Sequence, residues 1–128
     1  MSFILDTHTY LWFVSGDSQL PVSVRDKIKD IHQPCFLSAA SLWEITIKSQ
    51  IGKLTLEIPL EELFKYTDRN QIDIIPINYE HLLVLSTLPF HHSDPFDRLI
   101  VSQAIAEDLI LITRDKKLKK YQVKQQWR

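Results

Sequence analysis

Four acidic residues, Asp6, Glu44, Asp97 and Asp115, are the groups in this sequence best suited to chemistry. In an open α/β sheet, ligands gather outside the carboxyl ends of the strands, so residues that directly follow strands matter most. Asp6 follows the apolar run Phe3-Ile4-Leu5, and Asp115 comes two residues after Thr113, where a fourth run finishes. Glu44 falls in the first turn after the second predicted strand, and Asp97 begins the helix leading into the fourth. Bringing them together is unfavourable, because two carboxylates about 4 Å apart repel by roughly 4 kcal/mol at an effective dielectric of about 20. A cation relieves that repulsion. Carboxylate oxygens without cysteine suit a hard ion, Mg²⁺ or Mn²⁺, rather than zinc. An ion of that kind binds phosphate and lowers the pKa of a bound water, so the matching chemistry is phosphodiester hydrolysis.

Each acid also has a local structural role open to it. Ser41-x-x-Glu44 has the form of a capping box. Asp94 and Asp97 flank Pro95 as alternative helix caps, with capping or loop structure the better account of Asp94. Asp115 before Lys116-Lys117 is ordinary helix-start chemistry. Asp6, at the edge of a buried strand, is the hardest to explain structurally. His91 and His92 lie in a loop, where the local pattern favours structure over orienting a carboxylate or touching substrate. His8, His32 and His81 have no metal-site spacing, and Trp12, Trp43 and Trp127 read as core or interface anchors rather than base-stacking platforms. Arg98 could clamp a phosphate or pair with Asp94.

The elements that position these groups follow from periodicity. Phe3–Leu5, Pro34–Leu37, Ile72–Ile75 and Leu109–Ile112 are short apolar runs of the kind found in strands buried on both faces. Helical spacing covers His8–Val14, Ser23–Ile31, Ser41–Ile51, Leu60–Arg69, Tyr79–Leu88 and Asp97–Glu107. Alternating strands and helices predict a layered α/β domain with a parallel sheet. Gly52 fits just past the third helix and Pro59 at the start of the fourth. Pro89–Pro95 reads as the longest irregular stretch, a loop placed to border a site.

Composition narrows the function further. With 128 residues, 45% of them hydrophobic and 24% charged, the chain matches one folded domain. No apolar run is long enough to span a membrane, and the start lacks the basic and apolar regions of a signal peptide, so the reading is cytoplasmic. Cys35 is the lone cysteine and reads as a core thiol. Two glycines, Gly16 and Gly52, cannot build a dinucleotide fingerprint or a phosphate-binding P-loop. The net charge of −1 conceals a basic tail: Arg114–Arg128 holds seven basic residues and one acid, leaving eight basic and fifteen acidic residues before it. Such a tail can meet phosphates, an acidic partner or water.

Four motifs in order resemble the PIN-domain ribonucleases, especially the VapC-type toxins of toxin–antitoxin pairs. They are Ile4-Leu5-Asp6-Thr7-His8; Ser41-Leu42-Trp43-Glu44-Ile45 with Lys48 and Gly52-Lys53-Leu54; His92-Ser93-Asp94-Pro95-Phe96-Asp97-Arg98 with Ala104; and Leu111-Ile112-Thr113-Arg114-Asp115. The resemblance covers essentially the whole chain. It implies a PIN-like three-layer α/β/α fold with a central parallel sheet, and Mg²⁺- or Mn²⁺-dependent cleavage of single-stranded RNA. It further implies Asp6, Glu44, Asp97 and Asp115 as metal-binding acids, with Asp6 and Asp97 the principal ligands, and Thr113 as a polar neighbour. Asp94 has no counterpart in many members. Arg98 and the basic tail are candidates for drawing RNA in. The implied partners are a cognate antitoxin, whose tail fills the acidic groove, and a second copy of the chain. No segment reads as a DNA-reading motif.

Other Asp-centred phosphoryl-transfer folds fit less well. A haloacid-dehalogenase-like phosphatase needs an acid two residues after Asp6, where this chain has His8, and a receiver domain needs an acceptor Asp absent from Ile75-Pro76-Ile77-Asn78. A PIN-like binding module without catalysis is the alternative of a different class. The presence of all four acids argues against it.

Overall fold

An apolar run too short for a helix can bury both faces as a strand, since successive side chains point to opposite sides of a sheet. The structure, a computed structural model, describes residues 1–128 and contains five strands. These are β1 (Phe3–Leu5), β2 (Cys35–Ser38), β3 (Ile72–Ile75), β4 (Ile110–Ile112) and β5 (Gln125–Gln126), in the order β3-β2-β1-β4-β5. All pairings are parallel, with Phe3 opposite Cys35 on one side and Ile110 on the other. Four strands are expected from the apolar runs; β5 is the addition. Its two glutamines are half-buried and pair with Leu111 and Ile112 through the backbone, so no apolar pattern marks it.

Six helices connect the strands: α1 (Thr7–Ser15), α2 (Val22–Lys29), α3 (Ala39–Gln50), α4 (Leu60–Arg69), α5 (Tyr79–Thr87) and α6 (Pro95–Ala106), with a 3₁₀ turn over Lys116–Lys120. Alternation along β1 separates two cores. Phe3 and Leu5 pack with Leu37, Ile72 and Ile112 against Tyr10 and Phe13 of α1, Val24 and Ile28 of α2, Ile45 of α3 and Leu63 of α4. Ile4 and Leu111 face the other way, toward Ile100, Val101 and Ala104 of α6. Burying each such side chain contributes roughly 1.5–3 kcal/mol, so the sheet is held from both sides. The result is the expected three-layer arrangement.

Cys35 is buried in the first core, and burial pushes its thiol up to about 12, as expected of a core thiol. Gly52 leaves α3 at φ +79°, a conformation strained for any residue with a side chain. The longest irregular stretch between elements is Ile51–Pro59, rather than the Pro89–Pro95 loop. No helix is long and apolar enough to cross a membrane.

Chain order supplies the site. From β1 the chain steps outward to β2 and β3, then returns to the opposite side of β1 as β4. The order reverses between β1 and β4, and the crevice outside those two carboxyl ends is where open α/β sheets hold ligands. Asp6 and Thr113 are the first residues past them.

Candidate active site

Asp6 leaves β1 as the N-cap of α1, its Oδ1 accepting the Thr9 amide at 2.8 Å. Its other oxygen, Oδ2, accepts the Thr113 hydroxyl at 2.5 Å from the end of β4. The side chain is buried, and burial raises its pKa against the lowering effect of these hydrogen bonds. Asp6 thus caps α1 with one oxygen while the other meets the end of β4.

Glu44 sits one turn deeper in α3 than the sequence pattern places it. The helix starts at Ala39 under a Ser38 cap that accepts the Ala40 amide, so Ser41 and Glu44 do not form a capping box. Thr7 Oγ1 lies 2.7 Å from Glu44 Oε1 and 2.9 Å from Ser41 Oγ. Lys48, one turn on, pairs with Oε2 at 2.5 Å. Both carboxylate oxygens of this buried side chain are thus occupied by the protein. The contact with Glu44 raises the Lys48 pKa, with smaller help from Asp94 and Asp97.

At the start of α6 the roles divide between neighbours. Asp94 is the cap, its Oδ1 accepting the amides of Phe96 at 2.8 Å and Asp97 at 3.1 Å. Asp97, two residues past Pro95, is left free to face the crevice. It is pushed up to about 7, first by burial and then by the charges of Asp94, Asp6, Glu44 and Asp115. Asp97 thus feels all the other acids singled out by the sequence.

Asp115 caps the 3₁₀ turn, accepting the Lys117 amide on Oδ1 at 2.9 Å. Its Oδ2 lies 3.2 Å from His92 Nε2, and the same nitrogen lies 3.3 Å from Asp97 Oδ2. His92 Nδ1 accepts the Asp94 amide at 3.1 Å, which puts the proton of the neutral ring on Nε2 between the two carboxylates. Pattern alone favours a merely structural His92; the ring instead joins two predicted site residues. The available signal was its place two residues before a helix cap, which brings an imidazole back over its own helix start.

Arg98 is held by the protein itself. Its guanidinium donates to Pro89 O at 2.8 Å, Leu88 O at 3.3 Å and Tyr121 Oη at 3.3 Å, and stacks on Phe90. From α6 its buried guanidinium reaches the loop before the helix, and it forms no ion pair with Asp94. Successive residues on a helix diverge by about 100°, so Arg98 cannot share the direction of Asp97. Trp12 and Trp127 pack on the first core as expected, whereas Trp43 is 58% exposed.

Carboxylates fit a hard divalent ion here on two counts. An oxygen of Asp97, an oxygen of Asp115 and a ring nitrogen of His92 all lie within 4.8 Å of one another, and Asp97 is pushed up to about 7 by burial first and then by the four other carboxylates. In the tautomer fixed by Asp94, His92 offers these carboxylates a donor rather than offering an ion a lone pair.

The fold and site define a three-layer α/β protein with acids gathered at the switch point of its sheet. The family model described as PIN domain matches residues 3–124, and the chain belongs to this family of nucleases. Among curated proteins, none matches it by sequence. Several solved structures share the fold. The chain is similar to VapBC2 from Rickettsia felis bound to a promoter DNA fragment, at TM-score 0.76, 18% identity and 98% coverage of both chains. It is also similar to DNA-bound VapBC from Salmonella typhimurium, at TM-score 0.73 and 12% identity, covering 98% of this chain and 97% of that one. VapBC-1 from nontypeable Haemophilus influenzae follows at TM-score 0.71 and 15% identity, with the same coverages of 98% and 97%.

Proposed function

We propose that this chain is a metal-dependent endoribonuclease that hydrolyses single-stranded RNA, acting as the toxin of a toxin–antitoxin pair. The observation that carries the reading is the gathering of acids at the switch point of a PIN-family sheet, where His92 Nε2 lies 3.3 Å from Asp97 and 3.2 Å from Asp115, and Thr113 joins Asp115 to Asp6. Asp6, Asp97 and Asp115 would hold Mg²⁺ or Mn²⁺, with Glu44 completing the acidic shell through water because its own oxygens are engaged by Thr7 and Lys48. When bound, the ion supplies Lewis-acid stabilisation of phosphate and a water of lowered pKa.

The protein's own part is positioning. Thr9 and Thr113 fix the Asp6 carboxylate, His92 fixes Asp115 against Asp97, and Thr7 with Lys48 fixes Glu44. With water as nucleophile, cleavage leaves a 5′-phosphate and a 3′-hydroxyl, since the RNA 2′-hydroxyl takes no part.

The solved assemblies of the same fold support a cognate antitoxin as partner, one that would place a cationic side chain among these acids. Exposed Leu82, Leu83 and Tyr79 on α5 give apolar surface for association, consistent with a homodimer. A cytoplasmic location accords with an RNA substrate.

The test is cleavage of end-labelled single-stranded RNA with Mg²⁺, Mn²⁺ or EDTA, beside an identically purified Asp97→Asn variant. Metal-dependent cutting lost in the variant, with 3′-hydroxyl ends, is the expected result. Equal cutting by both proteins, or 2′,3′-cyclic phosphate ends, defeats the proposal.

A further inference from the structure

Beside the carboxylates lies a cavity of about 310 Å³ lined by Asp6, His8, Trp12, Arg114 and Asp115. Arg114 borders this cavity with two carboxylates yet pairs with neither. Its guanidinium carbon stands 4.5 Å from the centre of the Trp12 ring, and Nη2 donates to Gln19 Oε1 at 3.1 Å. An unrestrained guanidinium would be drawn toward an adjacent acid; the Trp12 ring and the Gln19 bond hold this one away from both. Trp12 is itself held, with the rings of His8 and Trp127 each 6.0 Å away and the first core behind it.

The arrangement is a flat cation lying over an indole and exposed to solvent at the edge of the site. Unpaired bases of single-stranded RNA stack on aromatic rings and on arginine planes. On the nuclease reading the scissile phosphate belongs on the ion that Asp6 and Asp115 would hold, which leaves the guanidinium beside them for an uncharged base. We propose that Arg114, backed by Trp12, is the stacking platform for a nucleobase next to the phosphodiester that is cut. The proposal rests on the nuclease reading. It makes the subsite tolerant of sequence, because every base presents a π-face.

The test uses Asp97→Asn protein with Mg²⁺, so that RNA persists, and fluorescence anisotropy with three labelled probes. These are a uridine dodecamer, an adenosine dodecamer and an abasic ribose–phosphate chain of equal length. Both base-bearing probes are expected to bind about tenfold or more tightly than the abasic chain. Adding Arg114→Ala or Arg114→Lys brings that ratio close to one, since lysine keeps the charge but not the plane. Gln19→Ala reduces it partly, and melting curves of all variants superimpose on the parent's. Base preference retained by Arg114→Lys shows that the guanidinium plane is not what the bases meet and overturns the platform, as does an unchanged ratio in Arg114→Ala or equal binding of the abasic chain by the parent. Cleavage by the native chain judges the nuclease reading separately: cutting together with equal binding of the abasic and base-bearing chains overturns the platform alone, and absence of both cutting and RNA binding overturns both.

Discussion

Thr113 Oγ1 donates to Asp6 Oδ2 at 2.5 Å, joining the ends of the two strands between which the sheet order reverses. The two residues are 107 positions apart in sequence, and the bond ties the first acid of the site to the last strand before the basic tail. The same hydroxyl accepts the Asp115 amide at 3.0 Å, so one side chain sets the spacing of two acids.

Thr113→Val keeps the shape and removes both of these bonds. Leaving the buried Asp6 carboxylate short of a donor is expected to cost about 1–3 kcal/mol of stability, read as a lower denaturation midpoint. Metal-dependent cleavage should fall with it, and Thr113→Ser should restore most of both. A valine variant as active and stable as the parent refutes the role.

Asp97 gives the protein a pH signature. An aspartate raised from 3.8 to about 7 on folding binds its proton more tightly in the folded state. Stability therefore falls as pH rises from about 4 to about 7 and levels off above that. In chelator, Asp97→Asn should flatten this slope and be the more stable protein at pH 8, by at most about 4 kcal/mol. Added Mg²⁺ should raise the melting temperature of the native chain more at pH 8 than at pH 6, because protons no longer compete for the carboxylate. A larger metal effect at the lower pH contradicts this account.

His92 is predicted to act through its neighbours. His92→Ala frees Asp115 from Asp97 and should weaken metal affinity or cleavage about ten- to hundredfold, the usual cost of losing a residue that orients ligands. Isothermal titration with Mn²⁺ reads the affinity directly. Unchanged binding in the variant would leave His92 a loop residue.

Lys48 balances a carboxylate buried on every other side. Lys48→Met should lower stability by about 1–3 kcal/mol at neutral pH, with Glu44→Gln added in the same chain recovering part of the loss. Chemical denaturation of the single and double variants measures the coupling. Additive losses would mean that the pair contributes nothing jointly.

The central strands were legible because Phe3–Leu5 and the runs like it are apolar without a break, and a strand covered on both faces needs that. β5 was not, since Gln125 and Gln126 earn their place through backbone hydrogen bonds to β4, which leave no mark in residue type. Asp6, Glu44, Asp97 and Asp115 do gather near one edge, as their positions after strands imply. The partners that hold them were hidden by distance: His92 meets Asp115 across 23 positions, and Thr7 meets Glu44 across 37. Arg98 points away from Asp97 because adjacency in sequence is divergence on a helix. The capping pattern at Ser41 misled because Ser38, three residues earlier, made an equally good cap and started the helix first.

The exposed segment Ile51–Pro59 divides the acids two and two, with Asp6 and Glu44 before it and Asp97 and Asp115 after it. A backbone cut there yields two pieces, neither holding a complete set of carboxylates, and both contribute strands to the same sheet. Synthesised separately, the halves should be inert alone and regain activity on mixing, which makes this loop the natural place to split the protein into a conditional nuclease.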